Sequence, residues 1–136
     1  MRVQRRSIQP DRLPKRVVAG HVLYSHVLEV HGGRMIFVSG QLARNRDGDV
    51  VGRGDMRAQI RQVGENLKTA LEAAGAGLQD LVKTTTYVTD IEEFFRHVDM
   101  RMEYFGAALP TSTTVEVRRL AHPDLLVEVD AIAIAD

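Results

Sequence analysis

The sequence predicts an α+β fold, a mixed β-sheet with two helices on one face. Three observations predict it. β-branched or alternating runs lie near both ends of the chain. Two stretches between them carry an apolar stripe at helical spacing, and turn residues separate the runs. The length of 136 residues suits one domain with one core. Residues 1–136 are therefore read as a single domain, with 1–16 as an exposed basic arm.

Val22 to Val30 is apolar and β-branched enough for a strand. His31-Gly32-Gly33 then supplies residues that tolerate positive φ, as a tight hairpin requires. Arg34 to Ser39 returns as a second strand, with Met35, Ile36, Phe37 and Val38 as a largely buried run. A turn over 45–49 bends at Asp47-Gly48, and Val50-Val51 makes a short strand at best.

Asp55 is placed to cap a helix. Past it, Met56, Ile60, Val63, Leu67, Leu71 and Ala74 form one stripe over about 20 residues, which Gly75 and Gly77 end. Leu81 to Thr89 alternates as a Thr-rich strand, with Val82, Thr84, Thr86 and Val88 on one face. Asp90 can cap a second helix through about Phe105, with its stripe on Ile91, Phe94 or Phe95, Val98, Met102 and Phe105. Thr113 to Arg118 and Leu125 to Ala135 are the last strands. In the final one Val127, Val129, Ala131 and Ala133 share a face, and Glu128, Asp130, Ile132 and Ile134 share the other. The order is β-β-(β)-α-β-α-β-β. Two helices cover one face of such a sheet. Ile132 and Ile134 leave the other apolar, which marks a subunit interface.

Composition excludes several function classes. Lys plus Arg and Asp plus Glu both number 18, and the pI is near 7.0, unlike a dedicated nucleic-acid binder. Aromatics are only 5%, too few for base-stacking platforms. Cysteine is absent, which removes disulfides, thiolate nucleophiles and Cys-bound zinc. No apolar run reaches membrane-spanning length and no apolar h-region follows the start, so a cytoplasmic protein without membrane contact is expected. The charge is polarised: residues 1–61 carry 12 basic and 5 acidic side chains, residues 62–136 carry 6 and 13. Complementary halves favour self-association, although two solvated faces of a monomer would look the same.

The five histidines show no H-E-x-x-H spacing, and no metal site is expected. No P-loop, G-x-G-x-x-G or G-x-S-x-G occurs. Three features remain. Ser39-Gly40-Gln41 leaves a strand with exposed N–H groups that could hold an anion, or is a plain strand exit. Thr111-Ser112-Thr113-Thr114 enters a strand with four hydroxyls able to bind a carboxylate, or is a polar edge. Glu128 and Asp130 lie on one strand face about 7 Å apart. Carboxylates amid apolar residues suit acid–base work, or pair with Arg118 or Arg119.

Several blocks together resemble the Rid family, the reactive-intermediate deaminases also called YjgF-like proteins. They are Tyr24-Ser25-His26-Val27, the run from Met35 to Gln41, Asp80 to Asp90, Pro110 to Val117, and Leu126 to Ala133. The resemblance covers most of residues 17–135. It implies a fold like the small Bacillus-type chorismate mutases and a homotrimer with clefts between subunits. It also implies hydrolysis of enamines or imines of 2-amino acids to 2-oxo acids and ammonia, with no metal or organic cofactor. By the same resemblance Asp130 is the catalytic, water-holding acid. Gly40, Ser112, Thr114, Tyr24 and His26 contact substrate, and Glu128 and Arg118 are further candidates. One departure stands out: Ser112 occupies the position of the arginine that clamps the substrate carboxylate in the family. A hydroxyl does not replace a guanidinium fork. The resemblance therefore points to another substrate, such as an aminomuconate from aromatic ring degradation. Arg118, Arg119 or Arg44 of a neighbouring subunit is a candidate displaced cation. The rival reading is a non-catalytic homotrimer that binds a metabolite or a partner in the same cleft. RNA cleavage, attributed to some relatives, fits the neutral pI and scarce aromatics least.

Overall fold

The computed structural model describes residues 2–136; Met1, the first residue of the basic arm, lies outside them. The central sheet has the order β5-β8-β6-β7, from Arg34–Leu42 (β5), Val127–Ala135 (β8), Leu81–Val88 (β6) and Thr111–Glu116 (β7). β8 runs antiparallel to both neighbours, while β6 and β7 run parallel, so the sheet is mixed. The connection between the parallel strands is helical, as a parallel crossover requires.

Helix α1 spans Met56–Ala73. The Asp55 side chain accepts a hydrogen bond from Ala58 N at 3.0 Å, as its position at the start of the stripe predicts. Ile60, Val63, Leu67 and Leu71 are buried against Val127, Val129, Ala131 and Ala133 of β8 in one core. The second expected helix is two: α2 (Ile91–Arg96) and α3 (Val98–Phe105), broken at His97. The break changes the helical phase. Met100 and Arg101 are buried on α3, while Met102 is only partly so.

Several stretches fold differently from expectation. The stretch from Val22 to Val30 is not one strand: His21–Val22 (β3) pairs with Val17–Val18 (β2), and Val27–His31 (β4) stands apart. Gly32 and Gly33 have φ of 78° and 82°, as their turn requires, but β4 pairs with Gln4–Ile8 (β1) rather than β5. The basic arm therefore holds a strand, and Arg5 donates to the carbonyls of Gln79, Leu81 and Ala108, each at 2.9 Å. Val50 forms only an isolated bridge to Arg44. In β6 a register shift between Leu81 and Lys83 places Leu81, not Val82, among the buried residues with Thr84, Thr86 and Val88.

The run from Met35 to Val38 is not buried throughout. Val38 faces the core, whereas Met35 and Phe37 are 61% and 71% exposed. All three helices lie on the other side of the sheet. Met35, Phe37, Ile132 and Ile134, with Leu28 and Val30 of β4, line an open apolar depression of about 360 Å³. The second sheet face is apolar and uncovered in the single chain. Among the described residues no helix is long and apolar enough to cross a membrane.

Candidate functional site

Alternation along β8 and the registers of its neighbours distribute the candidate residues over two faces. Asp130 lies opposite Thr85, and Thr85 opposite Thr113. Ser112 lies opposite Thr84, which lies opposite Ala131. Since neighbours in register share a face, Asp130 and Glu128 project from the open face. Ser112 and Thr114 project from the helix-covered face.

On the open face the sheet is locally irregular. Val38 pairs with Ala131 and Gln41 with Val129, so Ser39 and Gly40 together oppose Asp130. This bulge bends β5 beside the carboxylates and frees its backbone from the ladder. Gly40 lets the Glu128 carboxylate pack against the strand: a Cβ there would overlap Oε2 of Glu128 and push that side chain aside. Burial, and then the neighbouring Asp130, push the Glu128 carboxyl above its ordinary range. The Tyr87 hydroxyl donates to Asp130 Oδ2 at 3.4 Å, a long contact. The nearby Asp130 charge is the main cause that raises the Tyr87 pKa. Among the described residues neither Arg118 nor Arg119 forms an ion pair with these carboxylates. Gly40 also borders a broad open cleft of about 660 Å³, walled by Gln41, Leu42, Arg44, Asn66 and others.

On the helix side a pocket of about 80 Å³ collects Ser112, Thr114 and Tyr24 with Arg16, Phe95 and Arg101. His26 stacks edge-on to Tyr24 at 5.2 Å, and its Nε2 lies 2.8 Å from the Pro14 carbonyl oxygen, so it ties down the arm. Sequence reasoning missed Arg101. Arg101 is 3% exposed, and its guanidinium donates to the Leu23 carbonyl at 2.9 Å and to Ser112 Oγ at 3.3 Å. Burial, with the like charge of Arg16, lowers its pKa to about 10. A signal did exist: Arg101 continues the apolar series Phe94, Val98, Phe105 at spacings of four, three and four. A cation on such a stripe is anomalous.

The structure thus brings together Asp130, Glu128 and Gly40, and separately Ser112, Thr114 and Tyr24. It does not join the two groups within one chain. Arg118, exposed beyond the end of β7, belongs to neither. Among the described residues no three His, Asp or Glu side chains converge as metal ligands.

The family model described as Endoribonuclease L-PSP, which stands for the YjgF/RutC/Rid proteins, matches residues 15–135. The chain belongs to the Rid family. A RutC family protein of Pyrococcus abyssi is 41% identical over 110 residues, 81% of this chain and 84% of that one. The 2-iminobutanoate/2-iminopropanoate deaminase of Escherichia coli K12 is 40% identical over 114 residues, 80% and 86% of the two chains. The crystal structure of the Rid protein YyfB of Yersinia pestis superposes with a TM-score of 0.82 at 34% identity, covering 96% and 98%. The Rid family thus includes imine deaminases, and the mixed sheet with few helices is the family fold.

Proposed function

We propose that this Rid-family chain is a deaminase-like hydrolase of a small enamine or imine. It would work as a homotrimer of the chorismate-mutase-like type. One observation carries the reading: a carboxylate, Asp130, faces a strand bulge whose backbone is freed from the ladder and whose Gly40 borders an open cleft. The sequence likeness to a deaminase supports it. The division of candidate residues between two sheet faces supports a cleft built by two copies, since one chain cannot bring both faces to one ligand.

In this reading Asp130 accepts a hydrogen bond from a water and orients its oxygen toward the imine carbon. The oxygen attacks, and a water proton passes through the carboxylate to nitrogen. The hydroxyl of the resulting carbinolamine then passes its proton through the same carboxylate to nitrogen as the carbon–nitrogen bond breaks, giving a 2-oxo acid and ammonia. Glu128, whose proton is held more tightly because of burial and then the neighbouring Asp130, is a second carboxyl group next to the first. Metal and organic cofactors have no part in these steps.

The test is ammonia release from 2-iminopropanoate generated by an amino-acid oxidase, beside release from an aminomuconate. Turnover of either supports hydrolysis, and Asp130→Asn should then lose about a hundredfold or more in kcat. No turnover of either, with Asp130→Asn indistinguishable from wild type, would instead favour the alternative of non-catalytic binding in the cleft.

A further inference from the structure

The pocket under α3 holds an unusual balance of charge. Two guanidinium groups, Arg101 and Arg16, line it, and no carboxylate does. Arg101 is nearly fully buried, and among the described residues it forms no ion pair. Arg16 is held above the Phe95 ring, 4.6 Å from its centroid. A buried cation without a counter-charge is costly unless an anion completes it.

The hydroxyls have the matching polarity. Ser112 Oγ accepts from Arg101, and Thr84 Oγ1 donates to it, each at 3.3 Å. With its lone pairs engaged, the Ser112 proton is left to donate. The pocket therefore offers N–H and O–H donors to an acceptor. Its volume of about 80 Å³ suits a planar carboxylate head group better than a larger tetrahedral anion.

We propose that Arg101, reaching from α3 to Ser112, binds the carboxylate of the ligand, and that Arg16 adds a second positive charge that selects dicarboxylates over monocarboxylates. This deepens the deaminase reading by naming the substrate class: an unsaturated amino acid that carries two carboxylates. The cation that Ser112 lacks is supplied from another element of the same chain, with Ser112 as its hydrogen-bond partner.

Calorimetric titration at fixed ionic strength tests it on the intact protein with three probes: 2-oxobutanoate, 2-oxoglutarate and inorganic phosphate. We expect 2-oxoglutarate to bind about tenfold or more tightly than 2-oxobutanoate, and phosphate most weakly. Arg16→Gln should erase most of that preference while leaving 2-oxobutanoate binding. Ser112→Asp places an internal carboxylate on Arg101, so it should raise Tm and abolish binding of both oxo acids. Arg101→Lys keeps the charge but loses the fork, and should weaken both. Should Arg101→Lys fail to fold, the Arg16 and Ser112 variants still decide. Equal affinity for the two oxo acids, tightest binding of phosphate, no saturable binding, or binding unchanged in Ser112→Asp would each overturn the proposal. Imine turnover is read separately: binding as expected without turnover sinks the deaminase reading alone, and turnover without selective binding sinks this one alone.

Discussion

Glycine 40 shows how a residue without a side chain sets the geometry of two that have one. The Glu128 carboxylate lies where its Cβ would be, so Gly40→Ala must push Glu128 aside. The obstacle is the far end of a flexible chain, and the fold should absorb it at little cost. The carboxylate pair should not: ammonia release should fall by about ten- to a hundredfold with an unchanged unfolding midpoint. The raised pKa of Glu128 gives a second expectation, with a definite sign. The folded state holds this proton more tightly than the unfolded chain, whose carboxyl titrates at its ordinary value of 4.5. The contribution to stability is complete below that pH and drains away as pH climbs through the higher folded value. Glu128→Gln should therefore flatten the fall in urea midpoint above pH 4.5 and leave that variant the more stable protein at neutral pH. A variant that tracks wild type across pH 4 to 8 would refute the assignment. Asp130 and its neighbours were legible as a same-face pair from period-two spacing alone. Arg101 was not, because a cation on an apolar helical stripe ordinarily belongs to a solvated face, and only the contacts to Leu23 and Ser112, outside its own helix, bury it.

Elements were legible where a local signal had no competitor. α1 has a cap, a stripe of regular spacing and a glycine stop, and it runs over the stretch those signals predict. Removing the cap tests how much that signal contributes. Asp55→Ala loses the bond to Ala58 N and should cost about 1 kcal/mol in chemical denaturation without altering the native circular dichroism spectrum. β1 had no such signal. Gln4-Arg5-Arg6-Ser7-Ile8 is mostly polar, and it is a strand because β4 offers it a ladder and Arg5 finds three carbonyls. Both are contacts distant in sequence. The break at His97 also went unannounced, since neither Pro nor Gly marks it. The Glu93 carboxylate, 3.0 Å from His97 Nε2, closes the end of α2 just before the chain changes phase. The register shift near Leu81 is of the same kind. It moves Val82 to the open face, a change that strict alternation cannot foresee.

At the scale of the molecule, a one-sided sheet explains both the misjudged burial of β5 and the divided site. Four consecutive apolar residues read as a buried strand because burial on both sides is the usual reason for such a run. Here one side meets the helices, and the other presents Phe37 at 71% and Met35 at 61% exposure beside Ile132 and Ile134. A bare apolar face next to a carboxylate pair is what a subunit interface with a cleft at its rim would need. Phe37→Asp separates assembly from folding, because Phe37 lies outside the core cluster of its own chain. Light scattering after size exclusion should show the wild type as a trimer and the variant as a monomer with native circular dichroism. If the cleft is shared between copies, that monomer should lose imine hydrolysis although Asp130, Gly40 and Glu128 are untouched. A monomeric wild type would remove the basis for a shared cleft. A monomeric variant that retained full turnover would place the whole reaction on one face of one chain, and the helix-side pocket would then need a role of its own.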